Sequence, residues 1–174
     1  TVVGGGLSGA EAAWQLASRG IPVRLFEMRP GVTTPAHTTD LLAELVCSNS
    51  LGADQTTSPA GILKAELETL GSLVMACARR HRVPAGRALA VDRERFAEEV
   101  TRTLLAHPLV ELVREEVRSL PEGPAILASG PLTSPLLAEA LKALVGEDFL
   151  SFHDAVAPIV TLESVDPSRS YRGS

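Results

Sequence analysis

Thr1-Val2-Val3-Gly4-Gly5-Gly6-Leu7-Ser8-Gly9-Ala10-Glu11-Ala12-Ala13-Trp14 is the stretch on which the fold turns. Thr1, Val2 and Val3 are β-branched and have the character of the end of a buried strand. They run into a glycine-rich turn. Beyond it Ala10, Ala13, Trp14 and Ala17 recur at i, i+3, i+4 and i+7, which predicts a helix over residues 8–19 with that stripe inward. Gly20 stands where a helix commonly stops. Gly4, Gly6 and Gly9 spell G-x-G-x-x-G, a weak signal alone because glycine-rich turns are common. Its context is more informative: it follows a strand, opens a helix, and the next strand, over residues 21–27, ends on an acid. That acid, Glu27, lies eighteen residues beyond Gly9, near the spacing of about 20 of a dinucleotide-binding βαβ unit.

Each residue type has a physical task in such a unit. Gly4 permits the tight turn, Gly6 lets backbone approach a pyrophosphate, and Gly9 lets helix and strand pack closely. The N–H groups of Leu7, Ser8 and Gly9 open the helix and face an anion at the positive end of its dipole. Glu27 can accept both ribose hydroxyls and repels a 2′-phosphate, which disfavours NADP here. The plainer alternative is a sharp strand-to-helix turn that holds no ligand.

The chain then departs from a nicotinamide-binding half, which would continue strand, helix, strand at short spacing. Residues 28–59 are rich in Thr, Ser, Gly and Pro, with a short helix fitting residues 40–46 behind Asp40 as cap. One long helix is predicted over residues 60–81, with Leu63, Leu67, Leu70, Val74 and Cys77 on one stripe and Gly71 weakening it. No strand is expected between the second strand and this helix. An interrupted unit of this kind suits FAD better than NAD. Farther on, a strand is expected at 88–91 and a helix from Asp92 to about residue 106, with Phe96, Val100 and Leu104 inward. Strands follow at 109–113, continuing towards 120, and at 125–129, the latter closing on Gly130, a small residue beside which backbone could meet a cofactor. A helix then starts with Pro135 at its first position, buries Leu137, Leu141 and Leu144, and stops at Gly146. Residues 152–163 have strand character.

At 174 residues the chain suits one domain of ordinary size. Its hydrophobic content of 45% is enough for a packed core, yet no apolar run reaches the ~20 residues of a membrane helix. No secretory leader is expected, and two cysteines make no disulfide framework or metal pattern, so a reducing cytoplasm is the expected home. The formal net charge of −5 argues mildly against nucleic acid as a partner. The start three residues before the glycine turn and the polar tail at 166–174 are read as the ends of a fragment. The division expected is an FAD-binding region at 1–150 and the start of an inserted substrate region at 151–174.

The second chemical candidate is Leu45-Val46-Cys47-Ser48-Asn49-Ser50-Leu51-Gly52, a thiol among small polar residues. A buried, inert cysteine is the commoner fate of such a residue, and Cys77, on the apolar stripe, is read that way. His37 is a loop candidate for a polar contact. His81, His107 and His153 have no metal spacing. Arg79, Arg80, Arg82 and Arg87 form the one basic cluster, either a solvated helix end or a phosphate patch. Asp92-Arg93 could set a guanidinium near an anion, though Asp92 serves equally as a cap.

Taken in order, the strings at 3–14, Leu25-Phe26-Glu27-Met28-Arg29-Pro30, Pro35-Ala36-His37 and the cysteine loop resemble the folate- and FAD-dependent tRNA (uracil-5-)-methyltransferase (TrmFO) family. Gly71-Ser72-Leu73-Val74-Met75, Val83-Pro84-Ala85-Gly86, Ala90-Val91-Asp92-Arg93 and Gly130-Pro131-Leu132-Thr133-Ser134-Pro135 continue the resemblance. It implies a glutathione-reductase-type α/β fold, a Rossmann-like FAD-binding domain with a parallel sheet. It also implies methylation of the T-loop uridine of tRNA at C5, with methylenetetrahydrofolate as carbon donor and NAD(P)H as reductant. On this resemblance Gly4, Gly6, Leu7, Ser8, Gly9, Glu27, Arg29 and Gly130 hold FAD, and Cys47 is the catalytic residue, a redox or nucleophilic thiol near the flavin ring. Ser129 departs from the threonine usual in the family, and family members are more than twice this length. The competing readings are a generic FAD oxidoreductase acting on a small molecule and a non-catalytic dinucleotide-binding module. Oligomeric state is left open.

Overall fold

The structure is a computed structural model that describes residues 1–146 together with Glu163, Val165, Asp166, Ser168 and Arg169. The strand expected at 152–163, Glu163 apart, and nearly all of the region 151–174 lie outside the described residues.

Its centre is β1 (Val2–Val3), which has a partner on each side. β2 (Val23–Phe26) pairs with it in parallel through Val2–Leu25 and Val3–Phe26. β7 (Ile126–Leu127) does so through Val2–Ile126 and Val3–Leu127. β6 (Val110–Val113) joins the far side of β2, giving a parallel sheet of order β6-β2-β1-β7. Helix α1 (Leu7–Ala17) lies against it. Ala10, Ala13 and Ala17 are buried there, because methyl side chains let a helix sit close to a sheet. The Rossmann-like parallel α/β fold expected from the glycine stretch is therefore present.

The long helix expected at 60–81 is two helices, α2 (Pro59–Thr69) and α3 (Leu73–Arg80). Gly71 separates them at φ +73°, a left-handed conformation that α-helix cannot continue through. Its carbonyl accepts a bond from Trp14 Nε1 at 3.0 Å, and Ser72 caps α3 by accepting the Met75 N–H. The proposed stripe is broken accordingly. Cys77 is buried, but Leu63 and Leu70 are exposed, and Lys64 is buried in α2 with its Nζ donating to the carbonyls of Ala53 and Ala60.

Two further expectations fail between residues 28 and 59. Residues 40–46 are not helical: Ala43 sits at φ +54° and its N–H donates to the Gly5 carbonyl at 2.8 Å, a tertiary bond in place of a helical one. A strand does intervene before the helices, β3 (Ser50–Ala53). It forms a separate antiparallel sheet with β5 (Ala88–Val91), whose other edge is β4 (Arg82–Val83). Helix α4 (Arg93–Leu105), capped by Asp92, buries Phe96, Val100 and Leu104 as its periodicity requires. β6 ends at Val113 with no continuation towards Leu120. In α5 (Pro135–Val145) Leu137 is buried, whereas Leu144 is exposed. Among the described residues no helix is long and apolar enough to cross a membrane.

Candidate functional site

β1, β2 and β7 all end at one level, and the chain leaves β1 there as Gly4-Gly5-Gly6. In open parallel sheets the crevice beyond the carboxyl ends of the strands is where ligands bind. The glycines differ in what demands them. Gly4 has φ +100°, and a Cβ on it would lie 2.6 Å from the Ala128 carbonyl oxygen, against the end of β7. A Cβ on Gly9 would lie 1.7 Å from the Gly4 carbonyl oxygen, so α1 can cross β1 only on a glycine. Gly6 has an ordinary extended backbone, φ −71° and ψ −169°, and a Cβ there would meet no protein atom within 4 Å. Neither conformation nor packing within the chain accounts for glycine at 6. Its bare backbone opens onto a cleft, beside the first-turn N–H groups of α1, which have no carbonyl within the helix to bond.

Glu27 ends at this cleft and is 6% exposed. The Gly5 N–H donates to its Oε2 at 2.8 Å, while the N–H and Nε of Arg29 donate to its Oε1 at 3.0 and 2.8 Å. Burial pushes this carboxyl up, but the bonds and charge of Arg29 with the Gly5 bond outweigh it, so the group lies below its ordinary 4.5. Arg29 is itself 2% exposed and reaches on to Glu44, whose Oε2 accepts from Nη1 at 2.8 Å. Glu44 is also held below its usual range: burial raises it, and the N–H and hydroxyl donors of Thr38 and Thr39 more than offset that.

These depressed carboxyls contribute to the acid behaviour of the fold, together with Asp54 and Glu99, which their arginine and histidine partners also hold low. A group with a lowered folded-state value adds stability at pH above its unfolded value, and that stability is lost as pH falls through the folded value. Denaturant midpoints are thus expected to stay level from pH 7 to about 5 and to drop below about 4.5. Glu27→Gln should flatten that acid limb, and an unchanged limb would show that the Arg29 pair contributes nothing to it.

Gly4, Gly6, Glu27 and Arg29 line one cleft with Ser129 and His37. His37 Nδ1 lies 2.7 Å from Thr34 Oγ1, and burial followed by the Arg29 charge holds the ring below its ordinary 6.5. Leu7 and Ser8 instead line an apolar groove shared with Leu51 and Leu63. Gly130 begins a short 3-10 turn (Gly130–Leu132) at φ +66°; it is exposed and outside the cleft lining, which its neighbour Ser129 joins.

Cys47 is exposed in a loop tied at both ends. Upstream, Ala43 bonds to Gly5 and Leu45 is buried. Downstream, the Val91 N–H donates to the Asn49 carbonyl at 2.9 Å, and Leu51 joins Leu7 and Ser8 in their groove. Cys77 is wholly buried, and burial, then the Glu99 charge, pushes its thiol up to about 11. A thiol reagent at pH 8 is therefore expected to modify Cys47 and to spare Cys77 until denaturant is added, as peptide mass mapping would show. Modification of native Cys77 would contradict this packing.

Three of the four arginines of the basic cluster are ion-paired, and the fourth, Arg87, is exposed. Arg79 pairs with Asp54 and Glu68, Arg82 with Asp54, and Arg80, like His81, with Glu99. Among the described residues no group of three His, Cys, Asp or Glu side chains could hold a metal ion. Sequence reasoning missed Glu44 and the threonines around it, which no periodic pattern marks.

The profile of the family described as Glucose inhibited division protein A matches residues 1–174. The methylenetetrahydrofolate--tRNA-(uracil-5-)-methyltransferase TrmFO of Moorella thermoacetica is 59% identical over 174 residues, covering 99% of this chain and 40% of that protein. Its namesakes in Thermus thermophilus and Carboxydothermus hydrogenoformans are 58% and 61% identical, each covering 98% of this chain and 39% and 40% of their own. The chain thus spans about 40% of the length of the curated relatives it matches. Aquifex aeolicus GidA shares the fold, with a TM-score of 0.55 at 19% identity over 70% of this chain and 20% of that one. The resemblance drawn from the motif strings holds along the whole sequence, and the chain belongs to the Glucose inhibited division protein A family.

Proposed function

We infer that residues 1–150 are the FAD-binding part of an enzyme that methylates the T-loop uridine of tRNA at C5, using methylenetetrahydrofolate and NAD(P)H. One observation carries the cofactor: Gly6 exposes bare backbone to a cleft in which no protein atom would meet a side chain, beside an acid at the end of the second strand. The identity of about 59% with proteins named for this reaction carries the substrate class.

On this reading Gly6 lets the backbone approach the pyrophosphate, Gly4 and Gly9 fix the turn and the close crossing of α1 that present it, and the first-turn N–H groups of Leu7, Ser8 and Gly9 meet its charge. Glu27 accepts from the ribose hydroxyls, Arg29 orients Glu27, and Gly130, at φ +66°, turns the chain just past Ser129, which lines the cleft. Bound there, FAD would provide two-electron reducing chemistry for converting a transferred methylene to a methyl group, with NAD(P)H as the source of the electrons. Cys47 provides the thiol. Uracil C5 is a poor nucleophile until a nucleophile adds at C6, a step an accessible thiol can perform; Cys47 is exposed and lies outside the lining of the Gly6 cleft. The paired arginines and the net charge of −5 leave this region a poor primary surface for tRNA phosphates. The enzyme works in the cytoplasm.

The test is to purify the protein expressed from its complete gene, record its visible spectrum and supply methylenetetrahydrofolate labelled in the one-carbon unit. Flavin absorbance and label in tRNA are expected. A colourless protein that transfers no label would overturn the proposal.

A further inference from the structure

We propose that Glu44 is a positioning residue for the nucleotide: it grips Arg29 from the side opposite Glu27 and so holds the Glu27 carboxylate on the ribose. This rests on the FAD reading above. The N–H groups of Gly5 and Arg29 already hold Glu27; the remaining side-chain contact comes from a guanidinium on four rotatable bonds, which fixes the carboxylate's orientation only if its far end is held as well. In this chain the far end is held too. Nη1 donates to Glu44 Oε2 at 2.8 Å and to the Thr39 carbonyl at 3.1 Å, while Nε donates to Glu27 Oε1 at 2.8 Å.

Glu44 is in turn fixed. Its Oε1 accepts from the Thr38 N–H and hydroxyl at 2.9 and 3.0 Å, and its Oε2 from those of Thr39 at 3.2 and 2.8 Å. Together these bonds form one relay from residues 38–44 through a 2% exposed guanidinium to the carboxylate at the cleft. Glu44 lines a different surface depression, with Thr38 and Leu45, and is absent from the cleft lining. It therefore acts through Arg29 and touches no nucleotide.

The experiment is calorimetric titration of apo-protein, expressed from its complete gene, with ADP and with 2′-deoxy-ADP. The ratio of the two affinities reads the ribose contact alone. In the unsubstituted protein ADP is expected to bind roughly tenfold more tightly, the worth of one hydrogen bond to a charged acceptor. Glu44→Gln, which keeps the shape but removes the charge and turns one of two accepting oxygens into an amide donor facing donors, is expected to shrink the ratio to about threefold or less. Glu27→Gln should do the same, and the double substitution should go no further. Thr38→Val removes one hydroxyl bond to Glu44 and is expected to lower the ratio less, in the same direction; it carries the test if Glu44→Gln fails to fold. A Glu44→Gln protein that loses affinity for both nucleotides equally, or for neither, overturns the positioning role. No binding of ADP to the unsubstituted protein overturns the FAD reading itself and this inference with it.

Discussion

Gly6→Ala protein is expected to fold like its parent and to lose flavin, with affinity falling about 100-fold, whereas Gly9→Ala protein is expected not to reach the native fold. The two substitutions add one methyl each to the same turn and differ only in where it points. At Gly6 the backbone is extended, as any residue tolerates, and the methyl meets no protein atom within 4 Å. Its only neighbour is whatever enters the cleft, and pressing one carbon into a close contact costs about 2–3 kcal/mol, or about 100-fold in affinity. At Gly9 the methyl would sit 1.7 Å from the Gly4 carbonyl oxygen. Gly4 is tied to the end of β2, its N–H donating to the Phe26 carbonyl at 2.8 Å. Separating α1 from β1 would open the centre of the core, a loss of about 3 kcal/mol or more. Denaturant titration and the ratio of flavin to protein absorbance report the two effects separately. Stoichiometric flavin on folded Gly6→Ala protein would remove the main support for the cofactor site.

Cys47→Ala in protein expressed from its complete gene is expected to leave flavin content and melting temperature nearly unchanged and to lower methyl transfer about a thousandfold or more. The side chain is exposed, so its removal leaves no cavity. The anchors of its loop, the Ala43–Gly5 and Val91–Asn49 bonds, are made by backbone and survive the change. Labelled transfer into tRNA measures the effect. Full activity in the variant would assign the thiol chemistry to another residue and leave Cys47 as a surface group.

What the sequence made legible was local. The turn at 4–9 and the amphipathic stripes of α1 and α4 depend on neighbours within a few residues, and both helices stand where the periodicity put them. The break at Gly71 was partly legible, as a glycine followed by a capping serine. It was overridden because Leu67, Leu70, Val74 and Cys77 keep helical spacing across it, and the bond from Trp14 that holds the break comes from 57 residues away. β3 was invisible for a related reason. Ser50-Leu51-Gly52-Ala53 has no β-branched residue, and it is a strand because β5 pairs with it. At the candidate site, Glu27 was found by its spacing from Gly9. Glu44 was not, since residues 38–44 are ordered by bonds between side chains and backbone that no periodicity records.

The central position of β1 has a consequence for synthesis. The Ile126 N–H donates to the Thr1 carbonyl at 2.9 Å, and the β7 edge of Val2–Val3 has no partner until Ile126–Leu127 is translated. At about 5–20 residues per second the ribosome takes roughly ten seconds to supply it. During that interval the nascent chain carries an unpaired apolar strand edge with its amides and carbonyls bare. Slowing translation downstream of β2 would lengthen that exposure and the demand on chaperones, with the finished protein left the same.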